Sequence, residues 1–180
     1  MPVKKHDHVL IPAGTVHCSG ADTMVLEISA TPYIFTFKLW DWGRVDLDGK
    51  PRPIHLEHGA ANIQWYRNTE WVHRNLVNAV AEVYTGENGT VVRTGLHERE
   101  FLDTFRFTTS SALPVHRNGS VHMLNLVDGT RAVLRSKSDA FPPLELHYAE
   151  TCIVPQAAGD YEIYSPDGSE VKVILACVRN

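Results

Sequence analysis

The feature that most constrains this sequence is its punctuation. Short runs of β-branched, aromatic or alternating residues recur at 9–11, 24–28, 33–39, 91–92, 105–108, 122–127, 131–134, 150–154, 161–164 and 171–178. Between them stand turn clusters with Asn or Asp ahead of Gly, such as Arg117-Asn118-Gly119, Val127-Asp128-Gly129 and Pro166-Asp167-Gly168. Residues that crowd χ1 favour a pleated surface, and Asn-Gly or Asp-Gly pairs supply the left-handed backbone of tight connections. Many short strands at this spacing predict a mostly all-β sandwich or barrel.

One stretch departs from the rhythm. Between residues 60 and 83, Val72, Leu76, Val80 and Val83 recur at spacings of three and four, which predicts one or two short helices. The run Thr85-Gly86-Glu87-Asn88-Gly89 then punctuates the chain before strand patterning resumes, and 84–89 is read as a linker.

Composition excludes several classes. Hydrophobic residues make up 43% and charged residues 21% of the 180-residue chain, the balance of an ordinary folded protein. The net charge is −4, with Lys and Arg scattered, so no basic face invites nucleic acid. No apolar run approaches a bilayer span and no basic-then-apolar leader is seen, so neither membrane insertion nor secretion is expected. Three cysteines, Cys18, Cys152 and Cys177, without a CxxC pair, suit packed thiols in a reducing, cytoplasmic compartment.

The sharpest local pattern is His6-Asp-His8-Val-Leu-Ile-Pro12-Ala-Gly14-Thr-Val-His17. A strand entering a Pro-x-Gly turn re-aims the chain and delivers a histidine just beyond it, where imidazole can take a metal. The pattern resembles the second cupin motif, with His6 where that motif has Gly. It is followed by Val25-Leu-Glu27-Ile, by Thr36-Phe-Lys38-Leu-Trp-Asp41-Trp-Gly-Arg44, and by Gly49-Lys-Pro-Arg52-Pro-Ile-His55-Leu. The order of these blocks resembles the C-terminal part of type I mannose-6-phosphate isomerases, zinc enzymes built from cupin jelly-roll β-barrels.

The resemblance implies two domains: a partial, N-terminally truncated cupin over 1–84, and a smaller, degenerate cupin over 85–180, whose Pro155 to Tyr161 turn lacks the histidine. It implies isomerase chemistry of carbohydrate metabolism, mannose 6-phosphate to fructose 6-phosphate. His17 matches a zinc ligand, Glu27 an active-site carboxylate, Lys38 a position where the family has a catalytic Arg, and Arg44 the basic end of the DWGR block. Lys in place of Arg keeps the charge and loses the planar fork. The family's remaining ligands precede the IPAGTVH block, and one histidine does not make a zinc site, which normally has three protein ligands and a water when catalytic. His6 and His8, on one face of a strand by alternation, are the candidate replacements. Cys18 is read as a packed thiol, and Phe37, Trp40 and Trp42 as core. The rival reading is a non-catalytic cupin module that binds a sugar or a partner protein. Open barrel edges would also let a second copy pair with the chain.

Overall fold

The computed structural model describes residues 1–30 and 36–179. The chain divides into two compact units, Ile11–Val77 and the combination of Met1–Leu10 with Asn78–Asn180. The second unit is an antiparallel β-sandwich. Its strands are β1 (Ala81–Gly86), β2 (Gly89–Arg93), β3 (Leu102–Thr109), β4 (Ala112–Val115), β5 (His122–Asp128), β6 (Arg131–Ser136), β7 (Leu144–His147), β8 (Thr151–Val154), β9 (Tyr161–Tyr164) and β10 (Val171–Val178). They form a six-stranded sheet in the order β1-β2-β3-β10-β5-β8 and a four-stranded sheet in the order β4-β9-β6-β7.

Alternation builds the core. Val171, Val173 and Leu175 of β10 and Leu124 and Leu126 of β5 point inward from the larger sheet, meeting Leu134, Tyr161, Ile163 and Leu113 from the smaller one. The central pairing is continuous, Val171↔Thr109 through Val178↔Leu102 on one side of β10 and Val173↔Leu126 through Cys177↔His122 on the other. Burial of these aliphatic side chains, each worth roughly 1.5–3 kcal/mol, is the main source of the unit's stability.

The stretch 84–89, read as a linker, is the tight end of the β1–β2 hairpin, with Gly86 paired to Gly89. Gly89 has φ +131°, and a Cβ there would lie 2.0 Å from the Thr108 carbonyl oxygen, so no side chain fits. The segment 60–83 does contain helix, but in two pieces, α1 (Leu56–Asn62) and α2 (Thr69–Asn75), and its end runs into β1. α2 is capped by Asn68, whose side chain accepts from the Trp71 backbone N–H at 3.0 Å, as an N-cap should. No helix among the described residues is long and apolar enough to cross a membrane.

The runs 9–11 and 24–28 do not form strands, and nor do the described residues of 33–39; 33–35 lie outside the described residues. A strand needs a hydrogen-bonded neighbour, and within Ile11–Val77 the only such pairing described is an isolated bridge, Val45↔Pro51. Phe37, Trp40 and Trp42, expected in a core, are exposed, Trp40 at 67% and Trp42 at 64%, and Cys18 is exposed as well.

The opening segment Met1–Leu10 is tied to the sandwich by charge. Asp128, at the end of β5, receives Lys5, His6 Nε2 at 2.8 Å and Lys172 Nζ at 2.9 Å, while Asn78 holds the His8 backbone on both sides at 2.8 and 2.9 Å. The Lys5 bond, with help from Lys172 and His6, holds the Asp128 carboxyl well below the usual carboxylate range. Asp128→Asn is expected to free this segment, raising hydrogen exchange at residues 5–8 by about tenfold, equivalent to roughly 1–2 kcal/mol of local opening; unchanged exchange would show that the Asn78 bonds and the Arg106 bond to His6 O, at 3.1 Å, hold it without Asp128.

Candidate functional site

The Pro-Gly turn forms as the sequence requires. Thr15 N–H donates to Pro12 O at 3.2 Å, and Gly14, third in the turn, takes φ +82°, the geometry of a type II turn that asks for Gly there. Arg67 secures it from outside. Its Nη1 donates to Pro12 O at 3.1 Å and to Ala13 O at 2.7 Å, and its guanidinium lies over the Trp71 and Tyr66 rings at 5.3 and 5.6 Å. Gln64 N–H closes the other side on Gly14 O at 2.9 Å. No motif reading pointed to Arg67.

His17 emerges from this turn exposed, and its Nδ1–H donates to Thr15 O at 2.9 Å. A carbonyl only accepts, so Nδ1 carries the hydrogen, and Nε2 is the nitrogen that a neutral ring would offer to a ligand. That is the orientation a metal-ligating histidine uses. Glu27 is exposed on a segment without regular secondary structure, and no described hydrogen bond or ion pair links it to His17.

A second lobe is built from residues 38–55. Asp41-Trp42-Gly43-Arg44 forms a tight turn, Arg44 N–H to Asp41 O at 2.9 Å, with φ +52° at Trp42 and +66° at Gly43. A left-handed conformation is unusual for an aromatic residue; it turns the Trp42 ring outward, where Arg44 packs over it at 5.1 Å. Arg52 N–H returns to Arg44 O at 3.1 Å, and His55 N–H reaches Lys38 O at 2.7 Å, while Lys38 N–H donates to His55 Nδ1 at 3.2 Å. These bonds bring the two ends of the lobe together at the start of α1. Gly59 of α1 sits against Leu39, where a Cβ would come within 2.4 Å of the leucine Cδ2. Asp41, 7% exposed, lies between Lys38 Nζ at 3.4 Å and Arg52 Nε at 3.0 Å. Lys38 and Arg44, two of the residues singled out in the sequence, therefore share one lobe with Arg52 and Asp41.

His6 and His8 do not share a strand face. His6 has φ +71° within a turn closed by Asp7 N–H on Lys4 O at 3.1 Å, and its ring is engaged by Asp128. The half-buried ring of His8 is held below the usual histidine pKa, mainly by burial and secondarily by the Arg106 charge. Among the described residues no group of three His, Cys, Asp or Glu side chains is placed to hold a metal ion. The chemistry of the donor set therefore does not fit zinc: His17 is presented correctly as a single ligand, but nothing described completes a site around it.

The sandwich, with its two antiparallel sheets, and the Pro-Gly-His turn define a cupin-type β-barrel protein. Over about a third of its length the chain is similar to mannose-6-phosphate isomerases: 35% identical over 57 residues to that of Streptococcus mutans, and 36% over 62 residues to ManA of Bacillus subtilis. Those stretches cover 32% and 34% of this chain and only 18% and 19% of the two relatives. In structure, the mannose 6-phosphate isomerase of Bacillus subtilis superposes with a TM-score of 0.55 at 13% identity, covering 78% of this chain and 39% of that one, a likeness of fold. No protein-family model matches the chain. Over that third of its length the chain is similar to mannose-6-phosphate isomerases, and its fold is that of a partial cupin-like domain.

Proposed function

We propose that the chain acts in an aldose–ketose isomerisation of the mannose 6-phosphate to fructose 6-phosphate type. The observation that carries this reading is the sequence similarity to two mannose-6-phosphate isomerases; the pairing of Lys38 and Arg52 on Asp41 supports it. The reaction moves a proton between C1 and C2, so it needs an acid/base group, cations against the charge that develops on oxygen, and a hold on the phosphate. Glu27 is assigned the acid/base role, and Lys38 and Arg44 the electrostatic roles. Zinc dependence belongs to the same reading through His17, but the described residues do not form its site, and no step is derived through the metal.

A coupled assay of mannose 6-phosphate turnover, with and without zinc, tests the reading. Turnover is expected, falling at least about 100-fold in Glu27→Gln, the scale of a lost acid/base group. Zinc stimulation that disappears in His17→Ala would place further ligands outside the described residues. No turnover in a folded sample under either condition overturns the isomerase reading. The second reading, a non-catalytic cupin module binding a sugar or a partner protein, would then stand, favoured by the exposed Glu27 and by the lack of a metal-binding group among the described residues.

A further inference from the structure

Lys38 and Arg52 come from opposite ends of the 38–55 lobe, and the backbone bonds described above do not by themselves fix where two long cationic side chains point. Asp41 does. Its Oδ2 takes both cations, Lys38 Nζ at 3.4 Å and Arg52 Nε at 3.0 Å. The carboxylate is nearly buried, whereas the Lys38 and Arg52 side chains are 28% and 39% exposed, so one anion fixed in the protein faces two cations that reach solvent. One carboxylate against two cations leaves a net positive charge at this cluster. Two oriented donors beside each other suit a tetrahedral oxyanion, and Arg engaged through Nε keeps its Nη edge for one.

We propose that Asp41 is a positioning residue that holds Lys38 and Arg52 together as a cradle for the phosphate of a sugar phosphate, with Arg52 a direct phosphate ligand. This rests on the isomerase reading for the sugar, but not for the phosphate. A phosphate monoester is the class of ligand the pair fits.

The sign of one substitution separates positioning from simple charge balance. Asp41→Asn removes a negative charge beside the cradle, so if the aspartate only offset charge, anions would bind more tightly. If it positions the cations, they splay apart and binding weakens. Inorganic phosphate and mannose 6-phosphate are titrated separately by isothermal calorimetry into the wild-type chain, Asp41→Asn, Asp41→Glu and Arg52→Gln. Asp41→Asn and Arg52→Gln are each expected to weaken both ligands by about tenfold, the effect of one charge-assisted contact, with partial recovery in Asp41→Glu. In turnover, both variants are expected to raise KM; Arg52→Gln, which leaves Lys38 on Asp41, changes kcat less than about threefold, whereas Asp41→Asn also releases Lys38 and lowers kcat further. Equal or tighter phosphate binding by Asp41→Asn overturns the proposal, as does a wild-type chain that takes no phosphate at millimolar concentration. If Asp41→Asn does not fold, Arg52→Gln decides, and unchanged phosphate affinity in that exposed variant overturns the cradle. Phosphate binding that follows the expected pattern in a chain without isomerase turnover keeps the cradle and removes the isomerase reading; turnover with an unchanged KM in both variants does the reverse.

Discussion

Replacing Leu124 by alanine is expected to destabilise the sandwich by about 3–4 kcal/mol, whereas the same change at its neighbour Met123 should cost less than about 0.5 kcal/mol. The difference comes from one residue of register. Leu124 is fully buried, pairs with Leu175 across β10 and with Cys152 across β8, and faces the smaller sheet. Met123 points to the opposite face and is exposed. Removing the leucine leaves a cavity between two central strands that cannot collapse without moving both. Urea unfolding should be followed by far-UV circular dichroism, which reads the strands directly, since all four tryptophans, Trp40, Trp42, Trp65 and Trp71, lie in Ile11–Val77 and none in the sandwich. Equal losses at 123 and 124 would contradict the inward register of β5.

Lowering the pH from 7 to 4 is expected to cost the sandwich up to about 3 kcal/mol through one side chain. His122 is 2% exposed inside the barrel, with Nδ1 accepting from the Tyr161 hydroxyl at 2.9 Å and Nε2 donating to Asn118 Oδ1 at 3.1 Å. Both bonds suit neutral imidazole. Burial, with a smaller contribution from the Arg117 charge, lowers its pKa to about 4 from 6.5. The unfolded chain thus binds the proton more readily than the folded one, so this stability is complete above pH 6.5, declines between 6.5 and 4, and is gone below 4. His8, shifted in the same direction, adds to the slope. Burial also pushes the Tyr161 hydroxyl up and raises the nearby Cys152 thiol to about 11, which keeps both neutral throughout this window. A His122→Asn variant, starting from lower stability, should lose most of the slope between pH 6.5 and 4.5. Retention of the full slope would assign it to other groups.

The strands that were legible in the sequence are those with a wet face and a dry face. β9 and β10 occupy 161–164 and 171–178 as the alternation predicted, and β5, β6 and β8 differ by a residue or two at an end. β1 was missed because it is exposed on both faces, which erases the period-two signal and leaves Val80 and Val83 to mimic a helix. β4 carries Pro114 at a sheet edge, and β7 is four residues long with one buried side chain. The extended runs before residue 55 failed for a different reason: their residues have strand propensity, but propensity without a neighbouring strand makes no ladder. At the site, periodicity was silent about His17, Glu27, Lys38 and Arg44, and family resemblance alone singled them out. Asp41 was visible only as one letter of a motif. Arg67, whose bonds run to backbone carbonyls more than fifty residues away in sequence, left no local signal.

The last strand of the sandwich is also its middle one. β10 separates β3 from β5 in the larger sheet, so the partner of residues 102–109 is not made until some sixty residues later. A nascent chain emerging from the ribosome therefore carries β3 and β5 with an empty slot between them, and their inward leucines and phenylalanines stay wet until 171–178 arrives. Folding of this unit waits on the synthesis of residues 171–178, a high contact order that slows closure and lengthens the interval in which chaperones, or the exposed strands of another nascent copy, compete for the slot.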